Sequence, residues 1–290
     1  MNFKNILTDP IFKLLEESVN EIGLKSYIVG GFVRDLLIKK LDVKDIDIVV
    51  VGSGIELAKK VKNKLNKSSK IQIYKSYGTA MLKSKNLTLE FVGSRKESYS
   101  MKSRNPEISF GTLNEDLERR DFTINSMAIS LNRENYGVLI DPFKGILDIK
   151  NQIIKTPLDP IKTFSDDPLR MLRAIRFCSQ LNFKIEPNSL RAITQNSERI
   201  SIITNERIVI ELNKILESKK PSKGFIILDE TGLLEKIIPE LNQLKGVEEI
   251  EGKTHKENFF HTLEVVDNIS KHTNNLWLRW AALLHDIGKP

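Results

Sequence analysis

Two aspartates one residue apart, at the start of an apolar run, constrain this chain more than any other feature. The segment Asp45-Ile46-Asp47-Ile48-Val49-Val50-Val51 carries a β-branched stretch of the kind that forms a buried strand. Along a strand, residues two apart share a face, with Cα atoms about 6.5–7 Å apart. Asp45 and Asp47 therefore aim two carboxylates at one point. Carboxylates so placed repel unless a cation lies between them, and two Mg²⁺ ions about 3.5–4 Å apart would suit the pair. Upstream stands Tyr27-Ile28-Val29-Gly30-Gly31-Phe32-Val33-Arg34-Asp35. Its glycines let backbone approach a phosphate closely, and Arg34 adds a forked cation for it. The plainer reading is an Asp-rich turn before a strand and a glycine turn before a helix. The ordered combination favours a site.

In that order the residues resemble a known family. Gly-Gly-x-x-Arg-Asp followed by Asp-x-Asp is similar to the template-independent tRNA nucleotidyltransferases of class II and to bacterial poly(A) polymerases, both in the polymerase-β superfamily. The resemblance implies an α+β fold: a polymerase-β-like head of mixed sheet and helices, then an all-α neck and body, then part of an HD domain. It further implies that Asp45 and Asp47 are catalytic and hold Mg²⁺, with Gly31 and Arg34 on the nucleotide. A third carboxylate is expected on a later strand. Glu90, in the run Leu87-Thr88-Leu89-Glu90-Phe91-Val92, is the candidate; a satisfied glutamate at a strand edge is the alternative.

The chain of 290 residues is long for one domain and fits two or three compact units. Its net charge of +7 suggests an anionic partner, nucleic acid being the commonest, although a lysine-rich proteome would give the same figure. A single cysteine, Cys178, excludes a disulfide framework and fits a reducing cytoplasm. Met1 to Val19 carries Lys4, Asp9, Lys13, Glu16 and Glu17, which leaves no apolar core for a signal peptide. No apolar run approaches the roughly 18 residues needed to span a membrane.

Apolar residues at helical spacing predict a helix from Ile11 to Ile22, ended by Gly23. Strand-like runs follow at Ser26–Val29, Ile46–Val51, Ile71–Tyr74, Thr79–Leu82 and Leu87–Val92, with a helix over Ile55–Leu65. After the turn at Asp141-Pro142-Phe143-Lys144-Gly145 the β pattern stops. Helices are then expected at Leu169–Leu181, Pro187–Asn196, Asn205–Leu216, Pro221–Thr231 and Gly232–Ile238, with a last block from His255 onward. The expected domains are a catalytic head over residues 1–140, a helical neck and body over 141–250 for nucleotide selection and tRNA binding, and the start of an HD domain over 251–290. The second boundary falls in Gly246–Gly252.

Glu118-Arg119-Arg120-Asp121-Phe122-Thr123-Ile124-Asn125-Ser126 is a second signature. Arg120 can grip a phosphate bidentately and Asp121 can accept from a ribose hydroxyl. A bare Arg-Arg-Asp is usually a surface salt-bridge cluster; its continuation into Phe-Thr-Ile-Asn favours nucleotide binding. The family has alanine where Ser126 stands.

Asp166-Asp167-Pro168-Leu169-Arg170, followed by Arg173 and Arg176, is the third. Asp167 could simply cap a helix that has Pro168 at its first position, with the arginines a solvated face. Against that stands the spacing of three, which makes a slowly drifting ridge rising about 13.5 Å from Asp167 to Arg176. In the family the equivalent Asp and Arg read the Watson–Crick edges of CTP and ATP. The resemblance thus implies base reading at Asp167 and Arg170, with cations for the triphosphate at Arg173 and Arg176. Many relatives have Glu where Asp166 stands. Between the signatures, Arg95 to Pro106 is polar and short of apolar anchors, and reads as a mobile loop. Relatives that add the terminal A keep such a loop.

His261 and the doublet His285-Asp286 resemble the metal site of HD phosphohydrolases. Imidazole and carboxylate suit a second divalent metal of intermediate softness, although a lone His on an apolar helix is usually a core or surface residue. That site needs a further downstream Asp, so a truncated HD module is expected, with the Leu276–Leu284 helix short of packing partners.

The resemblance implies a CCA tRNA nucleotidyltransferase acting on the tRNA 3′ end with CTP and ATP. Alternatives are a poly(A) polymerase, a CC-only or A-only relative, an HD-type phosphohydrolase with a degenerate head, and a non-catalytic RNA-binding module. A binding module would have no use for Asp45 and Asp47, and no aromatic RNA-binding signature supports it.

Overall fold

A computed structural model describes residues 1–40, 44–65, 69–84, 87–100, 103–245, 249–250, 253–254 and 258–289. The chain divides into two compact units, one of residues 1–99 and 105–151, the other of 100–104 and 152–290.

The first unit begins with α1 (Pro10–Ile22), capped by the Asp9 side chain and ended by Gly23 in the left-handed conformation. Then come β1 (Ser26–Val29), α2 (Gly31–Leu37), β2 (Asp45–Val50) and α3 (Gly54–Lys64). They are followed by β3 (Lys70–Tyr74), β4 (Thr79–Ser84) and β5 (Leu87–Gly93). After β6 (Arg95–Ser100), β7 (Ser103–Phe110) and α4 (Leu113–Glu118), the unit closes with β8 (Ala128–Ser130), β9 (Leu139–Ile140) and α5 (Gly145–Asn151). Among the described residues, seven strands form one mixed sheet in the order β3-β4-β5-β2-β1-β8-β9. The pair β2 and β5 is parallel; β1 runs antiparallel to both β2 and β8.

Alternation along β2 decides what this sheet can do. Ile46, Ile48 and Val50 point into the main core with Leu15 of α1, Leu57 and Val61 of α3, and Leu89 and Phe91 of β5. Val49 points to the opposite face, packed with Tyr27, Val29, Leu117 and Ala128. Asp45 and Asp47 share that second face, at the N-terminal end of the strand where the apolar cover runs out.

The stretch expected as a mobile loop is instead largely the paired ribbon of β6 and β7. Its residues are mostly polar: Arg95 Nε lies 3.0 Å from Glu97 Oε1 within β6, and Lys96 Nζ lies 3.0 Å from Glu115 Oε1 of α4. A search for hydrophobic alternation could not see it. The strands β8 and β9 were also not expected; three and two residues are too few for a period to register.

The second unit is helical. It contains β10 (Ile153–Ile154), α6 (Pro160–Asp166), α7 (Leu169–Leu181), β11 (Lys184–Ile185) and α8 (Pro187–Asn196). The helices α9 (Asn205–Leu216), α10 (Ser222–Glu230), α11 (Leu233–Ile237), α12 (Pro239–Gln243), α13 (Asn258–His272) and α14 (Leu276–Leu284) follow. Helix α7 packs on α9 and α10, and Ile175 and Cys178 of α7, Leu212 and Ile215 of α9 and Phe225 of α10 are all buried. A Cβ on Gly224 would meet Ile215 Cγ2 at 2.5 Å and Ser179 Oγ at 2.7 Å, so only glycine permits this crossing.

The expectation that Leu276–Leu284 lacks packing partners is corrected here. Helix α14 packs on α13 and α9, burying Ala282 and Leu283. Arg279 is buried and donates to the carbonyls of Ser218 and Thr273, and Trp280 Nε1 donates to Asn213 Oδ1 at 2.7 Å. Asp267 of α13 accepts from the Ser222 amide and hydroxyl at the start of α10. The boundary expected at 246–252 and the helix start at His255 fall largely or wholly outside the described residues. Among the described residues no helix is long and apolar enough to cross a membrane.

Candidate active site

The β1–α2 turn sets the floor of the site. Gly30 sits at φ +72°, where a side chain is strained, and a Cβ there would lie 3.0 Å from Arg120 Nη1 and 3.2 Å from Asp47 Oδ2. Three motifs far apart in sequence therefore meet around one glycine. Asp47 is also the register partner of Glu90 on β5 and of Val29 on β1. Glu90 shares the face of Asp47, because its neighbours Leu89 and Phe91 point into the core. Glu90 thus stands on the same face of the sheet as the aspartate pair.

Charge crowding is visible in the acids. Burial pushes the Asp47 carboxyl above its ordinary value; Arg120 pulls it partway back and Asp45 adds to the rise. Partial burial raises Glu90 as well, reinforced by the charges of Asp47 and Asp45 and opposed by Arg95. Such a cluster lowers its energy by taking up a cation, so this donor set fits divalent metal. A cavity of about 430 Å³ opens beside it, lined by Gly31, Phe32, Asp35, Lys40, Lys44, Asp45 and Asp47. Lys40 and Lys44 were not anticipated. They belong to no motif, and their only signal was a cluster of cations before the Asp-x-Asp pair.

Arg34 and the second signature form one network. Arg34 Nε donates to Asp35 Oδ1 and Nη1 to Asn125 Oδ1, both at 2.8 Å. Asn125 Nδ2 donates to Asp121 Oδ1 at 3.0 Å, and the Phe122 amide donates to the same oxygen at 2.9 Å. Arg34 and Asp121 thus lock α2 to the turn at 122–126, and Asp121 Oδ1 is engaged within the protein. Ser126, where the family has alanine, donates its hydroxyl to the Phe122 carbonyl at 2.9 Å, which explains why the change is accommodated.

Arg119 and Arg120 share one carboxylate that the sequence did not mark. Asp116 of α4 is 0% exposed. Its Oδ2 accepts from Arg120 Nε at 3.3 Å and Nη2 at 3.0 Å; its Oδ1 accepts from Arg119 Nε at 3.2 Å and Nη2 at 2.5 Å. Burial raises this acid, but the two arginines outweigh burial and hold it below the usual carboxylate range.

In the second unit, Asp167 Oδ1 accepts from the Leu169 amide at 3.2 Å, so it does cap α7. Asp167, Arg170 and Arg173 are half-buried, and the Arg173 guanidinium lies 5.6 Å from the centre of the Phe177 ring. Arg176 departs from the exposed ridge that was expected. It is 6% exposed and pairs with Glu211 of α9 at 3.0 Å. The reason is helical phase: each step of three falls about 60° short of a full turn, so two steps beyond Arg170 the side chain has swung inward.

The ligand atoms of His261, His285 and Asp286 lie within 4.8 Å of one another at the junction of α13 and the end of α14. His285 Nε2 is 3.3 Å from Asp286 Oδ1, and Lys289 occupies the other oxygen at 2.8 Å.

Known proteins are similar to this chain in both sequence and fold. Residues 26–155 match the family model described as "Poly A polymerase head domain". Residues 182–245 match one described as "Probable RNA and SrmB-binding site of polymerase A". An A-adding tRNA nucleotidyltransferase of Aquifex aeolicus is 39% identical over 215 residues, covering 71% of this chain and 26% of that protein. A multifunctional CCA protein of Shewanella frigidimarina is 36% identical over 278 residues, covering 92% of this chain and 63% of that protein. The chain thus spans 26% and 63% of the length of these two curated relatives. Among solved structures, a tRNA nucleotidyltransferase complexed with a primer tRNA and an incoming ATP analog superposes with a TM-score of 0.73 at 31% identity, covering 94% of this chain and 75% of that one.

Proposed function

The chain belongs to the class II tRNA nucleotidyltransferase family, and from that premise we propose that it adds CMP and AMP, from CTP and ATP, to the 3′ end of tRNA without a nucleic-acid template. What carries this reading is the convergence of Asp45, Asp47 and Glu90 on one face of the sheet, beside a cavity of about 430 Å³ with Lys40 and Lys44 in its wall.

In the proposed reaction the tRNA 3′-hydroxyl attacks the α-phosphorus in line. The new O–P bond forms as the bond to pyrophosphate breaks. Asp45 and Asp47, with Glu90 beside them, would hold two Mg²⁺ ions, whose chemistry when bound is to neutralise charge on the reacting phosphate and to lower the pKa of the hydroxyl. Arg120, Lys40 and Lys44 offset the negative charge of the triphosphate. The Gly30-Gly31 turn lets backbone close on it without a side chain in the way. Asp121 and Asn125 keep α2 and the 122–126 turn in fixed relation, so the cations are in place before the nucleotide arrives. The first unit is proposed as the catalytic head. The second is proposed to bind tRNA and, through Asp167 and Arg170, to choose the base.

The test is a tRNA ending at the discriminator base, incubated with each labelled NTP in turn. Incorporation of C, then A, is expected; none with any NTP would sink the proposal. The Aquifex relative favours a second reading, addition of A alone. A tRNA already ending in CC would then be extended while the shorter one would not.

The cluster of His261, His285 and Asp286 is proposed as a second divalent site, because two imidazoles and a carboxylate suit a transition metal. Co²⁺ binding followed by absorbance should be lost in His285→Ala; equal binding by the variant would remove the site.

A further inference from the structure

A buried carboxylate calls for explanation, because desolvating it is costly and an apolar residue of the same shape could stabilise the fold as well. Asp116 is such a residue. It lies on α4, whose start is fixed by a capping box between Thr112 and Glu115, three and four residues before the arginines it holds. Each of its oxygens takes one arginine through Nε and Nη2. A guanidinium held at two atoms has its plane and direction fixed, which a single contact would not achieve. Arg119 in turn reaches Glu97 Oε1 at 3.0 Å, so Oδ1 is anchored and the carboxylate cannot rotate away from Arg120. What remains of Arg120 is Nη1. That atom flanks the Gly30 Cα at the same spot as Asp47 Oδ2, 3.0 Å and 3.2 Å from where a Cβ would stand.

We propose that Asp116 is a positioning residue: by holding Nε and Nη2 of Arg120 it directs Nη1 at Asp47 and at the phosphates of the nucleotide. Arg120 touches the substrate; Asp116 acts only through it. The inference rests on the nucleotidyl-transfer reading above.

A double-mutant cycle tests it, with Asp116→Asn, Arg120→Gln and the two combined. The readouts are kcat and KM for ATP and CTP in tRNA extension, Mg–ATP binding by calorimetry, and thermal unfolding. Asp116→Asn should raise the KM for both nucleotides by about tenfold or more, with the KM for tRNA unchanged. In the Arg120→Gln background the same change should have little further effect, because its route is already cut. Additive effects on KM, or a nucleotide KM that stays at the wild-type value in folded Asp116→Asn, would overturn the inference. If Asp116→Asn alone does not fold, Arg119→Gln removes one of the two cations it leaves behind, and the cycle run in that background supports or overturns the inference on the same criteria. A wild-type protein that extends no tRNA would instead sink the functional reading. If that protein still bound Mg–ATP, the binding arm of the cycle would test Asp116 regardless.

Discussion

Asp47 and Glu90 are register partners on the parallel strands β2 and β5, and burial pushes both carboxyls upward, with Asp45 adding to the rise at Asp47 and Asp47 to that at Glu90. The pairing places a third acid beside the Asp-x-Asp pair, at the end of β2 that apolar packing leaves uncovered. The charge crowded there is what the proposed metal ions would offset.

Asp45→Ala or Asp47→Ala should abolish nucleotide addition while tRNA binding stays within a few fold. In the proposed reaction the carboxylates serve the reacting phosphate, whereas tRNA binding would draw on basic surface elsewhere. Extension assays and a filter-binding titration on the same preparations check this, and normal turnover in either variant would remove the metal-site assignment.

Glu90→Gln should be milder. It leaves the Asp pair intact and removes one charge beside it, so activity should fall by about 10–100-fold, with a higher Mg²⁺ concentration needed for half-maximal rate. A magnesium titration of the extension rate measures both. An unchanged titration would return Glu90 to the role of a strand-edge residue.

Asp167→Ala and Arg170→Ala should erode choice of base. An aspartate accepts from the exocyclic amine of C or A, whereas U and G present a carbonyl there. Setting acceptor against acceptor in a closed site costs on the order of 1–3 kcal/mol, so roughly tenfold to several hundredfold in selectivity should be lost. The comparison is kcat/KM for CTP, ATP, UTP and GTP. Discrimination preserved in both variants would leave Asp167 as the helix cap it also is.

Arg176→Ala should behave as a stability variant. It takes from Glu211 its buried partner and leaves only Lys214, at 3.6 Å, to offset the charge; leaving a buried charge wholly unpaired costs about 3–5 kcal/mol, so the loss should fall below that. Thermal unfolding should show the loss, while nucleotide preference at a permissive temperature stays as in the wild type.

Glu115 sets part of the acid limb. The backbone hydrogen bond to Thr112, then Lys96 and the Thr112 hydroxyl, lower its carboxyl from 4.5 to about 2. A depressed acid contributes stability above its unfolded value and loses it as pH falls through the folded one. The difference in Tm between wild type and Glu115→Gln should therefore be full above about pH 4.5 and shrink steadily towards pH 2. A difference that is constant across that window would mean the cap acts without its charge.

The sequence by itself determined the elements whose apolar residues recur with a period: α1, β2, α3, β5 and the helices from α7 to α10. It also marked the motif residues, because Asp-x-Asp on a strand must present both acids on one face. Tertiary structure decided the rest. The register that sets Glu90 opposite Asp47, the arrival of Arg120 Nη1 and Asp47 Oδ2 at Gly30, and the burial of Asp116 all depend on pairings between distant segments. The β6–β7 ribbon escaped notice because its polar residues offer no apolar alternation. Arg176 turned inward because a spacing of three is not the pitch of a helix. Local patterning reports which faces must be buried; which faces meet is settled only when the sheet closes.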